Sequence, residues 1–366
     1  MLKKRGSIDF LLILIVFVLL SIGLVMVLSA SSYEDLIYHK DAYYTFKRQV
    51  TWAGLGLLAM IFTMNYDYHK LKKFSIPLLI LSIILLIIVL FMPARNASRR
   101  WIGVGSLAFQ PSEIAKFSVI LYMASSMVNK KDKIKSFISG ILPYLLVGGL
   151  IFGLILIEPN LSIAGTVLIV LFFMLIVVGA RVHHLTLLAV LGSIMAVVFT
   201  FSEDYRYRRL TAFLDPWKDP LDTGYQAIQS LLALGSGGLM GLGLGKSRQK
   251  FFYIPEPQND FIFSIIGEEL GFLGTSIIIV LFLCLIWRGV KIALNAADTF
   301  GSLLAAGITS LIAVQTIINI AVATSSMPIT GIPLPFISSG GSSLTLMMMA
   351  VGILMNISRY EKVDRS

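Results

Sequence analysis

The chain has 366 residues, of which 57% are hydrophobic and only 14% charged, and its mean hydropathy is +0.85. These values exclude a soluble globular domain and predict a polytopic α-helical membrane protein. The net charge of +10 is of the kind that Lys and Arg in cytoplasmic loops produce, so nucleic acid is not expected as a partner. A lone cysteine, Cys284, excludes a disulfide framework.

Apolar runs predict ten membrane-spanning helices in an all-α fold, with residues 1–366 forming one integral membrane domain. The first run is too long for the apolar region of a signal peptide and is interpreted as the first span. The ten predicted spans lie at about 10–31, 48–64, 75–92, 112–128, 139–157, 160–179, 184–201, 261–287, 302–324 and 339–357.

Basic residues predict the orientation of these spans. With the N-terminus inside, sixteen Lys and Arg residues fall in inside segments and six in the short outside loops. This asymmetry predicts that both termini are cytoplasmic. Residues 202–260 then form an extracytoplasmic segment, far longer than a connector needs, that is expected to lie across the outer membrane surface. Within it, 226–234 predicts a short amphipathic helix.

Charged residues occur where the fourth span begins. Glu113 and Lys116 are three positions apart, hence on one helical face, and either neutralise each other or line a cavity. The preceding loop carries Arg99, Arg100 and Trp101. These residues form either an aromatic belt with snorkelling arginines or a site that captures an anionic headgroup.

Further polar residues occupy positions at membrane depth. Glu158, Pro159 and Asn160 predict a tight structural turn on the outer side, and Gln315 and Asn319 are spaced to hydrogen-bond between helices. The segment that runs from residue 327 to residue 343 contains three prolines and three glycines. Irregular backbone is tolerated there only beside protein or a watery cavity, so the sequence predicts a polar cavity that opens outward.

The segment 250–274 concentrates acidic residues at the eighth span. Pro255 and Pro257 keep the chain extended, and Asp260 stands where the polar loop meets the apolar run. Glu268 and Glu269 follow about 10–13 Å deeper in the helix. Carboxylates are costly at this depth, which predicts that this segment is the working end of the protein.

Asp260 has a structural alternative. Either Asp260 or Asn259 could serve only as the N-cap of the eighth span. The positive end of the helix dipole is expected to keep Asp260 ionised and to make it a weaker base, unless desolvation offsets the dipole.

A glycine-rich stretch at 238–247 is similar to a phosphate-binding P-loop. Met240 occupies a position where that motif requires glycine, and the stretch is predicted to lie outside the cytoplasm. A nucleotide site is therefore not expected, and the glycines are better explained by close approach of backbone to backbone or to a lipid headgroup.

Four stretches of the chain have specific motifs, namely PSEIAK (111–116), FLDPWKDPLDTGYQAIQSLLALGSGGLMGLGLG (213–245), KFFYIPEPQNDFIFSIIGEELGFLG (250–274) and TGIPLPFISSGGSS (330–343). Through these motifs, and nearly end to end, the chain resembles the SEDS family (shape, elongation, division and sporulation), which includes FtsW, RodA and SpoVE. The DPW…GYQ block and the PEPQNDFIF stretch resemble FtsW and SpoVE more than RodA. Asn160 departs from the family, since many relatives have aspartate there.

The resemblance implies a peptidoglycan glycosyltransferase of division or sporulation that polymerises lipid II at the outer face of the cytoplasmic membrane. Its implied partners are lipid II, membrane lipids and a class B penicillin-binding transpeptidase. Asp260 matches the family's essential aspartate and would be the general base. The candidates for holding the departing pyrophosphate are Arg48, Arg100 and Lys250. The further substrate-binding candidates are Trp101, Glu113, Lys116, Gln226, Gln315 and Ser339.

A divalent cation, Mg²⁺ or Mn²⁺, is chemically reasonable beside a pyrophosphate, although no sequence motif specifies one. Two other function classes remain open. A lipid II flippase would also need intramembrane charges and broken helices, but no internal repeat relates the two halves of the chain. A membrane scaffold for cell-wall enzymes would not require the Glu113 and Lys116 pair.

Overall fold

The computed structural model describes residues 6–93, 99–103, 108–130, 133–202 and 204–360, with the side chains of 204–206 excepted. Several basic residues that entered the predicted loop asymmetry lie outside these ranges, namely Lys3, Lys4, Arg5, Arg95, Lys131, Lys362 and Arg365.

Helices account for the secondary structure of these ranges, which contain no strand and one isolated bridge between Ile102 and Phe109. The predicted all-α class is confirmed, and α9 confirms the predicted amphipathic helix. The helices are Phe10–His39 (α1), Tyr44–Asn65 (α2), Ser75–Leu90 (α3), Pro111–Val128 (α4), Leu142–Ile157 (α5), Leu161–Val178 (α6), Val182–Phe201 (α7), Asp204–Leu214 (α8), Tyr225–Ser236 (α9), Ile262–Asn295 (α10), Thr299–Ala323 (α11) and Gly341–Ser358 (α12).

Eight of the described helices are long and apolar enough to cross a membrane: α1, α3 with the turn before it, α5 with the turn before it, α6, α7, α10, α11 and α12. The protein is therefore a multi-pass membrane protein. The predicted second and fourth spans correspond to α2 and α4, which carry charges in their first turns. Since α4 packs against α3, α6, α11 and α12, it needs little lipid-facing apolar surface. The count of ten spans stays a prediction.

Burial is uneven across the bundle. Most of the residues of α4, α11 and α12 are buried, and these helices form the centre of the core. In contrast, α7 contacts α6 and α8 only lightly and has no buried residue. Because its exposed residues are mostly apolar, α7 is suited to face lipid.

We call one end of the bundle the site end, where α1, α3, α5 and α11 finish and α2, α4, α6, α10 and α12 begin. Buried polar contacts tie its helices together. Gln49 near the start of α2 donates from Nε2 to the carbonyl of Ser338, at 3.1 Å, just before α12. The amide of Gln110, which precedes α4, donates to Ser342 Oγ in the first turn of α12 at 3.3 Å.

The opposite end is joined by a second set of polar contacts. Arg288 of α10 donates from Nε and Nη2 to the Asp9 carboxylate before α1, at 2.9 and 2.5 Å. Tyr68 donates its hydroxyl to Asp298, and its amide donates to Asn356 Oδ1 of α12 at 2.9 Å. Both ends of the bundle are thus fixed, which holds the residues of the site end in register.

The long helix α10 is broken at Gly271, where φ is 69° and ψ is −168°. The glycine-rich segment supplies the hydrogen bonds that the helix cannot make across this break. The amides of Phe272 and Leu273 donate to the carbonyls of residues 238 and 239, at 2.8 and 3.1 Å. The carbonyls of Glu268 and Glu269 accept from the amides of residues 242 and 243, at 2.9 and 3.0 Å. The backbone at the break is therefore satisfied within the protein, as a low-dielectric setting requires.

The expectation that residues 202–260 lie across the outer membrane surface stays a prediction, but this pairing shows where the glycine-rich part packs. The glycine-rich part enters the fold and contacts α10 two to three turns from its start. A Cβ at Gly241 would lie only 2.2 Å from the carbonyl oxygen of Glu269. Glycine is therefore required there by the close approach of two backbones, as the sequence predicted in place of a nucleotide site.

The break predicts a large effect of Gly271→Ala. The backbone conformation at Gly271 is nearly exclusive to glycine and costs other residues about 1–3 kcal/mol. The added Cβ would also lie 2.3 Å from the amide nitrogen of Gly241. We expect the Tm of purified Gly271→Ala protein to fall by several degrees. Gly149→Ala is the matched control, since a Cβ at Gly149 of α5 meets nothing within 4 Å; equal Tm values for the two variants would contradict the role of the break.

Candidate active site

Asp260 lies in the turn immediately before α10, as predicted, but it does not cap the helix. The N-cap residue is Phe261, and no side chain makes a capping hydrogen bond. The Asn259 side chain instead donates from Nδ2 to Glu256 Oε2 at 2.7 Å. The interpretation of Asp260 or Asn259 as a mere N-cap is therefore wrong.

The backbone around Asp260 is held by α11. Asn319 Nδ2 donates to the Asp260 carbonyl at 2.9 Å and to the Ile332 carbonyl at 2.8 Å. These two bonds bring the irregular segment after α11 against the turn before α10. Gly331 lies so close to the Asp260 carboxylate that a Cβ there would be 3.5 Å from Oδ2. The carboxylate thus faces the proline- and glycine-rich segment that the sequence predicted to border a cavity.

The same segment makes further contacts with the Asp260 turn. Ser338 donates its hydroxyl to the Asn259 carbonyl at 2.7 Å. The predicted substrate-binding residue Ser339 contributes its backbone amide, which donates to the Gln258 carbonyl at 2.9 Å. Ser338, rather than Ser339, therefore supplies the hydroxyl that positions this turn.

Two arginines place positive charge near Asp260. Arg209 of α8 donates from Nη1 to the Ile329 carbonyl at 3.0 Å, at a narrow cleft between α8, α9 and the end of α11. Arg100 donates from Nε to the first carbonyl of the 158–159 turn at 2.9 Å and from Nη2 to the second. Both guanidinium groups interact electrostatically with the Asp260 carboxylate.

The pKa of Asp260 is raised to about 7. Burial of the carboxyl is the largest cause, and the negative charge of Glu256 adds to it, whereas Arg209 and Arg100 act in the opposite direction. Desolvation therefore outweighs the two arginines, and the pKa is raised although Asp260 was expected to stay ionised at the helix start. A carboxyl with a pKa near the working pH is well suited to general base catalysis, because it is both available and basic.

Lys250 lies in a buried cluster with Glu269 and is fully engaged. Its ammonium donates to Gly245 O at 2.7 Å, to Glu269 Oε1 at 3.2 Å and to Ser29 Oγ at 3.2 Å. Glu269 also accepts from the backbone amides of Gly245 and Ser247, at 2.9 and 3.2 Å. Since an ammonium has three N–H donors and all three are used, Lys250 has none left for a pyrophosphate.

Glu268 holds the same loop from the other side. It accepts from Ser247 Oγ at 2.5 Å, from the Arg248 amide at 2.9 Å and from the Gln249 amide at 3.3 Å. The two acids therefore bind residues 245–250 to α10. These contacts explain the similarity of this stretch to a P-loop. The loop does cradle an anion, but that anion is the chain's own Glu269 carboxylate.

The other predicted site residues occupy varied environments. Lys116 and Glu113 form a buried ion pair at 2.7 Å on one face of α4, as predicted. Gln315 is buried in α11, and its Nε2 has no partner among the described residues. Arg48 near the start of α2 and Trp101 are exposed, and Gln226 at the start of α9 is half-buried. No hydrogen bond or ion pair joins these residues to Asp260 within the described ranges.

Several buried polar atoms at the site end have no hydrogen-bond partner among the described residues. Leaving such an atom unpaired costs about 1–3 kcal/mol, so proteins tolerate it where water or a ligand completes the bonding. These atoms are Ser112 Oγ, both carboxyl oxygens of Glu158, Gln258 Oε1, Gln315 Nε2, Asn319 Oδ1 and Thr330 Oγ1.

The donor set around Asp260 does not fit a resident metal ion. Nowhere in the described ranges do three His, Cys, Asp or Glu side chains converge as metal ligands. The charged neighbours of Asp260 include two arginines, which repel a cation. The positive charge that this site offers to an anion is therefore that of the guanidinium groups.

The comparisons with known proteins decide the family. The family described as "Cell cycle protein", whose model is named for FtsW, RodA and SpoVE, matches residues 10–363. The stage V sporulation protein E of Bacillus subtilis (strain 168) is 48% identical over 366 residues, covering 99% of this chain and 100% of that protein. This chain belongs to the FtsW/RodA/SpoVE family.

Other members of the FtsW/RodA/SpoVE family extend the match. A probable peptidoglycan glycosyltransferase FtsW from Geobacter sp. (strain M18) is 42% identical over 361 residues, with 97% of this chain and 98% of that protein covered. Two solved structures cover 98% of this chain and 99% of their own. One is a chain of a peptidoglycan synthase complex, with a TM-score of 0.81 and 29% identity. The other is Thermus thermophilus RodA, with a TM-score of 0.71 and 27% identity.

Three residues of this FtsW/RodA/SpoVE site were missed or undervalued by the sequence reasoning. Arg209 was hidden in a basic stretch of a long loop, where nothing indicated which arginine turns toward Asp260. Glu158 was assigned to a structural turn. Ser338 stands beside the predicted Ser339, and only the backbone direction distinguishes the two hydroxyls. The available signal for Arg209 was the cluster of Arg208 and Arg209 before the FLDPW motif.

The Lys250 cluster predicts strong coupling between Lys250 and Glu269, which are only 5% and 0% exposed. Removing one partner of a buried ion pair leaves an uncompensated charge and costs about 3–5 kcal/mol. We expect Lys250→Met and Glu269→Gln each to lower the Tm of the FtsW/RodA/SpoVE protein strongly. The double variant should unfold at a higher temperature than the sum of the two losses predicts. Additive losses in this double-mutant cycle would rule out the pairing.

Proposed function

We propose that this protein is a peptidoglycan glycosyltransferase that polymerises lipid II into glycan strands. The observation that carries the proposal is the Asp260 carboxyl, which has a pKa near 7 and no hydrogen-bonded side-chain partner among the described residues. Two guanidinium groups flank it, and the surrounding polar atoms need partners. The printed names of relatives support the reaction class, since several are probable peptidoglycan glycosyltransferases.

The geometry suits an inverting displacement by a sugar hydroxyl. Asp260 takes the proton from the acceptor hydroxyl while its oxygen attacks the anomeric carbon of the donor. The new glycosidic bond forms as the bond from that carbon to the pyrophosphate oxygen breaks. The pyrophosphate leaves with the bonding electrons, and Arg100 and Arg209 stabilise its negative charge.

The other candidates take supporting roles in this proposal. Arg48 and Trp101 meet the lipid headgroup at the rim, and their exposure at the site end supports this role. Glu113, Lys116, Gln315 and Gln226 shape the polar interior on which the substrate lies. Lys250 is removed from the pyrophosphate candidates because its three donors are used within the protein.

The proposed location is the cytoplasmic membrane, with both termini in the cytoplasm. The excess of Lys and Arg in the inside segments supports this orientation. The site end then faces outward, where lipid II is polymerised. A class B penicillin-binding transpeptidase is the proposed partner, because one structural relative is part of a peptidoglycan synthase complex whose polymerization and crosslinking are coordinated. Membrane lipids surround the apolar helices.

The deciding experiment uses the purified protein in detergent with lipid II as the substrate. Glycan strands should form, and the partner transpeptidase should be tested alongside as an activator. A flippase has no leaflet to act across in detergent and would produce no polymer, nor would a scaffold. Absence of glycan strands under both conditions, with and without the partner, would overturn the proposed function.

Replacing Asp260 with asparagine should abolish polymerisation while preserving the fold. The asparagine side chain lacks the basic carboxylate, and loss of a general base lowers rates by about 10²- to 10⁴-fold. The rate of lipid II polymerisation in detergent is the measurement. Asp41→Asn is the control, because Asp41 forms an exposed ion pair with Lys47 and accepts from the Tyr43 amide, and exposed pairs contribute little. A wild-type rate for Asp260→Asn would exclude Asp260 as the base.

The raised pKa of Asp260 predicts the acid side of the pH–rate profile. Activity should rise with pH through about 7, because only the ionised carboxylate accepts a proton. Glu256→Gln removes a negative neighbour that raises this pKa, so the rise should move to lower pH. Glu256→Asp keeps the charge and should leave the midpoint near its original value. An unchanged midpoint in Glu256→Gln would contradict the assignment of this limb to Asp260.

A further inference from the structure

Glu158 is the most unusual acid of the site end. It follows the last residue of α5 and is completely buried, yet neither of its carboxyl oxygens has a hydrogen-bond partner among the described residues. A buried carboxylate without donors is strongly disfavoured, so a carboxyl in this setting is stable as the neutral acid. A purely structural turn, as the sequence suggested, has no need of such a group.

Arg100 connects this acid to the catalytic centre. Its guanidinium donates to the carbonyls of Glu158 and Pro159 rather than to the Glu158 carboxyl. The same guanidinium interacts electrostatically with Asp260. Arg100 is therefore held by the backbone of one acid while its charge acts on the other.

The turn presents two successive carbonyls, those of Glu158 and Pro159, to the single guanidinium of Arg100.

We propose that Glu158 is a positioning residue for Arg100, and this inference rests on the proposed glycosyltransferase function. As a neutral acid, Glu158 leaves the guanidinium on the turn carbonyls with its charge directed at the Asp260 site. As a carboxylate, Glu158 draws Arg100 into an ion pair and removes that charge from the departing pyrophosphate.

The choice of acceptor in the structure supports the neutral form. Guanidinium groups prefer carboxylates, which they bind through two parallel bonds, over neutral carbonyls. If Glu158 were ionised, Arg100 would be expected to bind its carboxylate. Arg100 instead binds the two carbonyls, as it should when the carboxyl beside it carries no charge.

Electrostatics agrees with this geometry. Burial raises the pKa of Glu158 to about 8, and Arg100, which lowers it, is the charged group that acts on this carboxyl among the described residues. Two residues further on, the uncharged Asn160 caps α6 by accepting from the Ile163 amide at 3.4 Å. Asp260 is the other acid on which the charge of Arg100 acts. Ionisation of Glu158 is therefore expected just above neutral pH.

The test is the pH–rate profile of polymerisation by wild type, Glu158→Gln and Glu256→Gln. Wild type should be bell-shaped, with an alkaline fall centred near 8 as Glu158 ionises. Glu158→Gln mimics the neutral acid and should lose this fall, so that its rate at pH 9 relative to pH 7 exceeds the wild-type ratio several-fold. Glu256→Gln should move only the acid side. A merely structural role for Glu158 would lower rates at all pH values without changing the shape of the profile.

An independent measurement requires no catalysis. An acid whose pKa is raised by folding destabilises the folded state as pH rises from its unfolded pKa to its folded pKa. The Tm of Glu158→Gln relative to wild type should therefore increase between about pH 5 and pH 8. A Tm difference that does not change with pH would show that Glu158 is not a neutral acid in the folded protein.

The outcomes separate this inference from the proposed function. If wild type forms no glycan, the glycosyltransferase proposal fails, and the Tm measurement still decides the charge of Glu158. If wild type polymerises lipid II but has no alkaline fall near 8, or if the Glu158→Gln profile superimposes on it, the positioning role of Glu158 is overturned while the function stands.

Discussion

The cost of burying a carboxylate determines how the acidic residues of this protein are arranged. In a largely apolar bundle, each buried acid must either receive hydrogen bonds and a counter-ion or give up its charge. Glu113 pairs with Lys116, whereas Glu268 and Glu269 collect donors from one loop and from Lys250. Asp260 and Glu158 receive no such donors from the described residues, and their pKa values rise to about 7 and about 8. These two acids can therefore exchange protons near neutral pH.

The structural acids make the reactive one possible. By binding residues 245–250, Glu268 and Glu269 fix the loop that leads through Pro255 and Pro257 to Asp260. The break at Gly271 lets the same loop pair with α10 through its backbone. Glu268 and Glu269 inside α10 therefore stabilise the site and take no part in its chemistry. The Asp260 carboxyl at the start of α10 needs no donors to hold it in place, because Asn319 binds the Asp260 backbone carbonyl.

Sequence patterns predicted the parts of the molecule that depend on local rules. Apolar length predicted the helices, the spacing of Glu113 and Lys116 predicted their pairing, and the position of Asp260 after two prolines predicted its place before α10. The partner of Lys250 and the orientation of Arg209 could not be predicted, because both depend on contacts between residues far apart in the chain. Lys250 resembled a pyrophosphate ligand as long as its distance to Glu269 was unknown, and Arg209 had no regular pattern to distinguish it.

Arg100 explains why two acids with similar environments can have different roles. Its guanidinium lowers the pKa of both carboxyls, but the rise that desolvation causes is larger in each case. Neither acid forms an ion pair with Arg100 among the described residues. Asp260 is partly exposed and can reach a substrate. Glu158 is enclosed and can exchange its proton only with the groups around it. The interval between their pKa values is then the range in which the base is ionised while the guanidinium remains available. A single arginine whose charge acts on both carboxyls couples the proton that the base accepts to the charge that the leaving group needs.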